Sequence, residues 1–262
     1  QGKYPLYTEG MEYLFWTCCT ICYDPRNTRL AKATAEILNL AGVSWGIPSL
    51  EVNCCGESLR KVGDMELFER LRDKNLDYFK SVGASKIITV SPHCMVSFKK
   101  DYGVECEVLH LSELIAKLIS EGKITPQKDF GGLKVTYHDP CYLGRHGGVY
   151  DAPRDLLKAI PGLDFVEMER TREQSMCCGG GGGGLWMEKA KGERLSDVRM
   201  EEAMGTGAAV LATACPYCIA MFEDSVRTLN VDEQIKVRDV TELLLESLNI
   251  SVDEPVVDTC AL

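Results

Sequence analysis

The feature that most constrains this chain is an internal duplication of its cysteines. The sequence Cys54-Cys55-Gly56 recurs in the second half as Cys177-Cys178-Gly179. Further positions keep the same register to within one residue: Cys18, Gly83, Ala84, Ser91 and Cys94 in the first half correspond to Cys141, Gly207, Ala208, Cys215 and Cys218 in the second. Because chance does not hold cysteines and a glycine hinge in one register, the sequence predicts two copies of one structural unit.

Short apolar segments alternate with longer helical patterns in both copies. Residues 86–90 are rich in β-branched side chains and indicate a buried strand, whereas residues 30–41 carry apolar side chains at helical spacing. This alternation is typical of α/β folds with parallel sheets, whose sites form at the carboxyl ends of strands. We therefore expect two pseudo-symmetric α/β repeats, over residues 11–125 and 131–250, with cysteines at the strand ends. If the repeats face each other, the two cysteine groups line one cleft.

Cysteine content and charge exclude several classes of protein. Thirteen cysteines cannot all pair within one chain, and the sequence combines an ordinary apolar content with no signal peptide, so we expect metal ligation in a reducing compartment rather than a disulfide scaffold. The net charge of -10, without a basic block, argues against nucleic-acid binding. No apolar run approaches the roughly 20 residues of a membrane span. We expect a cytoplasmic protein that meets a membrane, if at all, through a partner.

Four cysteines of the second half form the main candidate metal site. Cys177 and Cys178 precede a run of six glycines, and Cys215 and Cys218 follow a predicted strand. Thiolates are soft ligands suited to iron–sulfur clusters and zinc. Glycines such as Gly179 let backbone amides approach the sulfurs, although the same run is also compatible with a flexible linker. Cys215-Pro216-Tyr217-Cys218 is also compatible with a glutaredoxin-type redox motif, the less favoured interpretation.

These motifs resemble a known family. The pattern C-x35-C-C-G followed by C-P-Y-C, together with the segment His-Asp-Pro-Cys-Tyr-Leu-Gly-Arg at residues 138–145, is similar to the CCG cysteine-rich repeat found in the B and D subunits of heterodisulfide reductases and in their relatives. The resemblance covers residues 13–249. It implies a non-cubane 4Fe-4S cluster, and the ligands it implies here are Cys141, Cys177, Cys178, Cys215 and Cys218.

The first repeat departs from the family pattern because Ser91 occupies the position of Cys215. The matching ligands that remain are Cys18, Cys54, Cys55 and Cys94, and either Cys19 or Cys22 is a candidate for a fifth thiolate. A second iron–sulfur cluster, a zinc ion with His93 as an alternative ligand, and a vestigial site all remain open. We expect Cys106 and Cys260, which match no repeat position, to be structural.

Two further side chains are candidates for a role in catalysis. His138 can donate a proton to a leaving thiolate or a hydrogen bond to a cluster sulfur, or serve only structure with Asp139. Arg145 is a candidate for binding an anionic substrate group, with simple solvation as the alternative.

The functional hypothesis is an oxidoreductase: an iron–sulfur component of a heterodisulfide-reductase-like complex that reduces a disulfide, or oxidises thiols, at its cluster. The alternative is an electron-transfer module between a flavoprotein or dehydrogenase and a quinone-linked partner, and a zinc-stabilised structural protein is a third hypothesis. The chain has no ferredoxin-type cysteine run and no nucleotide-binding glycine fingerprint. We therefore expect partner subunits that carry ferredoxin-type clusters, flavin or a membrane cytochrome.

Overall fold

Two four-stranded parallel sheets form the centre of the computed structural model, which describes residues 4–190 and 192–250. The first sheet contains β1 (Tyr13–Trp16), β2 (Trp45–Gly46), β3 (Lys86–Thr89) and β4 (Glu107–His110), in the order β2-β1-β3-β4. The second contains β5 (Leu133–His138), β6 (Leu163–Val166), β7 (Val210–Thr213) and β8 (Lys236–Asp239), in the equivalent order β6-β5-β7-β8. The prediction of two pseudo-symmetric parallel α/β repeats is therefore confirmed.

Helices connect the strands as parallel pairing requires. In the first repeat they are α1 (Cys19–Tyr23), α2 (Thr28–Leu40), α3 (Glu57–Val62), α4 (Met65–Ser81), α5 (Pro92–Val96) and α6 (Leu111–Ser120). In the second they are α7 (Asp151–Lys158), α8 (Leu195–Gly205), α9 (Pro216–Leu229) and α10 (Val240–Ser247). Short π-helical turns cover Ser97–Tyr102 and Tyr142–His146. None of the helices in the described part of the chain has both the length and the apolar character needed to cross a bilayer.

The last helix of each repeat begins with the same local device. His110 caps α6 and Asp239 caps α10, and each accepts a hydrogen bond from a backbone N–H of its helix. Glu113 and Glu242 return the interaction to the backbone N–H of the cap residue, which completes a capping box. The repeated Ser-Glu and Thr-Glu pairs that follow the two caps thus encode equivalent helix starts.

Strand register corrects one expectation about the duplication. Trp16 pairs with Thr89 in the first sheet, and His138 pairs with Thr213 in the second. Trp16 and His138 are therefore equivalent, and the residue three positions later is Cys19 in one repeat and Cys141 in the other. The equivalence of Cys18 with Cys141 is wrong. The sequence alone did not show that the equivalent residue is Cys19, because positions 18 and 19 are both cysteines.

The repeats are interlocked by reciprocal helix packing. Helix α6 of the first repeat packs on α7 of the second, and α10 of the second packs on α2 of the first. Arg26, which precedes α2, forms a bidentate ion pair with Glu242 at 2.8 and 2.9 Å and a second ion pair with Glu223 at 2.9 Å. The limits 11–125 and 131–250 stay a prediction, because packing on this scale makes the two repeats one folded body.

Candidate metal centres

In each sheet, the cysteines lie at the point where the strand order reverses. In the order β2-β1-β3-β4, the chain crosses first to one side of β1 and then to the other, so a crevice opens beyond the carboxyl ends of β1 and β3. Cys18 and Cys19 follow β1, and Cys94 lies in the first turn of α5 after β3. The crevice of the second sheet receives Cys141 after β5 and Cys215 after β7. The sequence prediction of ligands at strand ends agrees with this placement.

The second repeat brings its cysteine thiols into contact. The Sγ atoms of Cys141 and Cys177 are 3.8 Å apart, and those of Cys178 and Cys218 are 3.2 Å apart. Cys215 is hydrogen-bonded to Cys218. All five are free thiols, of which Cys178, Cys215 and Cys218 are buried and the other two partly accessible. Five thiols from distant points of the chain thus surround one small volume with one side toward solvent.

Two cysteines of this group are prepared to ionise. Hydrogen bonds from Cys141 and then Cys178, supported by the Gly179 backbone N–H at 3.3 Å, lower the pKa of Cys177 to about 2. Burial opposes ionisation of Cys215, but hydrogen bonds from Cys218 and His93 still lower its pKa to about 5. Since metals bind the thiolate form, these two residues are ready ligands near neutral pH.

The thiols of the first repeat are arranged in the same way, except that Ser91 stands at the position of Cys215. Cys19 and Cys54 have Sγ atoms 3.7 Å apart, and those of Cys55 and Cys94 are 3.4 Å apart. Hydrogen bonds from Cys19 and Cys55, with help from the Gly56 backbone N–H, lower the pKa of Cys54 to about 3. The pKa of Cys54 is therefore lowered in the same way as the pKa of Cys177. Cys54 is also the exposed member of its group.

Cys18 supplies the thiol that the Ser91 substitution removes. Its buried side chain is hydrogen-bonded to Cys94, which lowers the pKa of Cys18 although burial opposes this. Cys18, Ser91 and Cys94 line one small cavity together. Cys19 also lines it and Cys22 does not, and the Cys22 Sγ atom contacts the Thr17 carbonyl at 3.8 Å. Of the two candidates for the fifth thiolate, the geometry therefore favours Cys19.

The glycine run after Cys178 is required by its surroundings. Gly179, Gly182 and Gly183 have positive φ angles of 83, 61 and 84°. A Cβ atom on Gly180 would lie 2.9 Å from the Met221 side chain, and one on Gly184 would collide with the Gly179 carbonyl. The run is a tight packed turn, so the interpretation as a flexible linker is wrong.

His138 faces the thiols of the second repeat. Its Nδ1 atom accepts a hydrogen bond from the Arg199 Nε–H at 3.3 Å, and its buried Nε2 atom has no partner. Its ligand atom and those of Cys178 and Cys218 lie within 4.8 Å of one another. Burial, followed by the Arg199 charge, lowers the pKa of His138 to about 3. The neutral ring therefore presents an N–H to the thiols.

Arg145 and Asp139 hold the chain segment that leads to Cys177. The Arg145 guanidinium donates hydrogen bonds to the backbone carbonyls of Glu173 and Ser175. The Asp139 carboxylate accepts a bidentate pair from Arg154 at 2.7 and 2.8 Å. The sequence did not reveal Arg154 and Arg199, because nothing in it distinguishes a buried arginine from a surface one.

His93 lies between the two groups of thiols. Its Nδ1 atom is 3.1 Å from the Glu57 carboxylate, and the ring is also hydrogen-bonded to Cys215 of the other repeat. Burial opposes protonation, but the hydrogen bonds to Cys215 and Glu57 raise its pKa to about 9. His93 is engaged with Glu57 and Cys215, which leaves the role of zinc ligand in the first repeat without support. Cys106 is not among the residues that line the cavity of the first group, and burial raises its pKa. Cys260 lies outside the described residues.

Comparison with known proteins identifies the family. The sequence profile of the cysteine-rich domain named CCG matches residues 13–99 and 135–223. The chain belongs to this family. One match falls on each repeat, and each includes all five cysteines of that repeat's group. The resemblance drawn from the CCG motifs is thereby confirmed.

Several known proteins are similar to nearly the whole of this chain. The chain is 42% identical over 240 residues to the probable iron-sulfur-binding oxidoreductase FadF of Bacillus subtilis and 40% identical over 247 residues to EtfAB:quinone oxidoreductase of Syntrophomonas wolfei, covering 90% of this chain and 34% of each relative. It is 37% identical to a subunit of the dihydromethanophenazine:CoB--CoM heterodisulfide reductase of Methanosarcina mazei, covering 91% of this chain and 59% of the relative. The CCG chain thus spans about a third of the first two relatives.

A solved structure supports the fold alone. A hypothetical protein from Helicobacter pylori superposes with a TM-score of 0.60 at 13% identity, covering 96% of this chain and 52% of that one. The CCG repeats therefore have a counterpart in an experimental structure.

Proposed function

We propose that this CCG protein is the iron–sulfur redox unit of a larger, heterodisulfide-reductase-like complex, with one cluster in each repeat. The observation that carries the proposal is the convergence of five free thiols on each of two equivalent crevices, with Sγ–Sγ contacts of 3.2–3.8 Å. Zinc in a structural site needs four ligands in a closed tetrahedron. Five thiols open toward solvent on one side suit an iron–sulfur cluster better.

The cluster of the second repeat is, in this proposal, a non-cubane 4Fe-4S centre held by Cys141, Cys177, Cys178, Cys215 and Cys218. The residues around it fit such a group. His138 carries a buried Nε2 atom without a partner beside the thiols, and a cluster sulfur gives that N–H an acceptor. The Gly179 N–H already points at the Cys177 sulfur. We assign His138 a hydrogen-bonding role, because a ring with so low a pKa is neutral near pH 7 and carries no extra proton to donate.

The first repeat holds a second cluster through Cys18, Cys19, Cys54, Cys55 and Cys94. Cys18 replaces the ligand that Ser91 lacks, so the site has the same number of thiols as the second repeat. The lowered pKa values of Cys54 and Cys177 give each site one thiolate at the equivalent position. Bound iron–sulfur clusters supply one-electron transfer, and two such sites side by side satisfy the two-electron demand of a disulfide.

Two versions of this function differ in the final electron acceptor. Reduction of a small disulfide, or oxidation of thiols, is supported by the relative whose name is that of a heterodisulfide reductase. Electron relay between a flavoprotein and a quinone-linked partner is supported by the relative named as a quinone oxidoreductase, which has the higher identity. In both versions the accessible thiols, such as Cys54 and Cys177, mark the face where electrons or substrate enter.

The expected partners are subunits with flavin, ferredoxin-type clusters or a membrane cytochrome. A relative at 34% identity is named a probable membrane-anchored ferredoxin. We propose that the chain works on the cytoplasmic side and approaches the membrane through such a partner or through another part of a longer protein.

Anaerobic purification with iron, sulfide and zinc analysis tests the cluster assignment. We expect iron and sulfide for two clusters, and a colourless protein with zinc alone would refute it. Adding candidate thiols to the oxidised protein while recording its paramagnetic signal separates the two versions. A signal altered by thiol indicates direct access to iron, whereas an unchanged signal with retained electron transfer to a quinone-linked acceptor favours the relay.

A further inference from the structure

The side chain of His93, a residue of the first repeat, extends into the site of the second repeat. It is the third residue of the turn Ser91-Pro92-His93-Cys94, so its neighbour Cys94 belongs to the first group of thiols. Its imidazole stacks on Tyr142 of the second repeat, with ring centroids 4.1 Å apart and planes inclined by 18°. The same imidazole is hydrogen-bonded to Cys215. A side chain anchored in one site thus ends on a ligand of the other.

Each repeat places one ring at the site of the other repeat: His93 reaches the second site, and Tyr217 reaches the first. Tyr217 is the third residue of the equivalent turn Cys215-Pro216-Tyr217-Cys218, and it lines the cavity formed by the thiols of the first repeat. The centroids of the His93 and Tyr217 rings are 4.6 Å apart. The Tyr217 hydroxyl, however, meets the Ser58 hydroxyl at 3.3 Å rather than a sulfur. Within this pair, it is His93 that is hydrogen-bonded to a thiol of the opposite repeat.

Glu57 fixes the orientation of the His93 ring. Its carboxylate is 3.1 Å from Nδ1, and both side chains are almost fully buried, with 3% of Glu57 and 7% of His93 accessible. With Nδ1 facing Glu57 and the ring stacked on Tyr142, the Nε2–H is left for Cys215. With Tyr217 as the third neighbour of the ring, the donor is held in place by three contacts.

We infer that His93 sets the reduction potential of the cluster in the second repeat through its hydrogen bond to Cys215. This inference deepens the proposed function and depends on it, because it requires a cluster at Cys215. An N–H directed at a ligand sulfur stabilises the more negative, reduced cluster and so raises its reduction potential. The contact favours electron flow from the first repeat to the second. His93 acts through Cys215 by stabilising the negative charge of the reduced cluster, and it forms no bond with a substrate.

The test replaces His93 and follows the potential of one cluster. His93→Phe keeps a ring to stack on Tyr142 but removes the N–H. At a fixed applied potential we expect the ratio of reduced to oxidised second-repeat cluster to fall about tenfold, which corresponds to about 59 mV for a one-electron couple. His93→Gln restores an N–H at a similar reach and should recover part of the shift. Redox titration followed by paramagnetic resonance measures both, and the signal lost in Cys178→Ser identifies the second-repeat cluster.

His146→Phe is the matched control. His146 also contacts the Tyr142 ring, with centroids 4.6 Å apart and planes inclined by 37°, but it is exposed. The same substitution there should leave the potential unchanged. If His93→Phe retains its iron and shows the wild-type potential, or if His146→Phe shifts it equally, the inference is overturned while the clusters stand. If the wild-type protein holds no iron–sulfur cluster, the proposed function itself fails. Should His93→Phe not assemble, the shift is read from Glu57→Gln, which removes the carboxylate that orients the imidazole toward Cys215, and a wild-type potential in that variant overturns the inference.

Discussion

Replacing Arg154 with methionine tests how the second site is supported. Arg154 has 1% of its side chain accessible and donates a bidentate pair to Asp139, whose side chain is 3% accessible. Methionine keeps much of the apolar stem but leaves the Asp139 carboxylate buried without its cation. Breaking a buried ion pair in this way costs about 3–5 kcal/mol of unfolding free energy.

The other contacts of Arg154 change this magnitude little. Its second ion pair is with Glu167, which is 37% accessible and can turn to water, so that loss adds only about 0–1 kcal/mol. Asp139 keeps the Arg172 backbone N–H at 2.8 Å, which limits the damage. We therefore expect a loss of about 3–5 kcal/mol, a large part of the roughly 5–15 kcal/mol typical of a folded protein.

Urea unfolding of Arg154→Met beside Arg172→Met provides the measurement. The control breaks an ion pair with Asp151 whose partners are 40% and 71% accessible, so its cost should stay below about 1 kcal/mol. Both proteins must be compared in the same state of metal loading. Equal stability of the two variants would refute the view that the buried pair supports this part of the fold.

The difference in unfolding free energy between wild type and Arg154→Met should decrease as the pH falls. Burial opposes ionisation of Asp139, yet its hydrogen bonds and charge pairing with Arg154 lower its pKa in the folded state. The stabilisation is therefore fully present above the unfolded value of about 3.9 and is lost as pH falls through the lowered folded pKa. The gap between wild type and Arg154→Met should narrow in that acid range.

Three further predictions follow from the sites and the caps. Cys178→Ser should abolish the paramagnetic signal of the second repeat, while Cys106→Ser, outside both groups, should leave it intact; survival of the signal in Cys178→Ser contradicts the ligand set. Cys18→Ser should reduce iron in the first repeat without changing the second, as iron analysis and the two signals would show; unchanged iron would return Cys18 to a core role. Burial raises the pKa of Asp239 to about 7, so its stabilising contribution is complete below about pH 4 and is lost as pH rises toward 7. Asp239→Asn, still a good helix cap, should therefore gain stability relative to wild type over that range, and a pH-independent difference in urea unfolding would contradict the assignment.

The duplication made most of the fold predictable. Cysteine pairs followed by glycine, and strands alternating with helices, were enough to predict two parallel α/β repeats and to place thiols at strand ends. These features are local in sequence or repeat at fixed intervals, so they can be recognised without knowing any long-range contact. The ligand set of the second repeat was predicted through its family pattern, and the structure brings all five of its thiols together.

The prediction failed where local sequence is ambiguous. Two adjacent cysteines at 18 and 19 fit the pattern equally well, and only strand pairing shows that Cys19 is equivalent to Cys141. The buried positions of Arg154 and Arg199 also left no trace in the sequence, because burial of a charge depends on partners brought together by folding.

The sequence by itself determined that this protein has two cysteine-bearing repeats and a chemistry based on thiolates, since composition and spacing carry that information. Only the tertiary structure decided how the repeats are joined. The contact of His93 with Cys215 and the ion pair of Arg26 with Glu242 connect residues more than a hundred positions apart, and no local pattern specifies which surfaces two packed repeats will share.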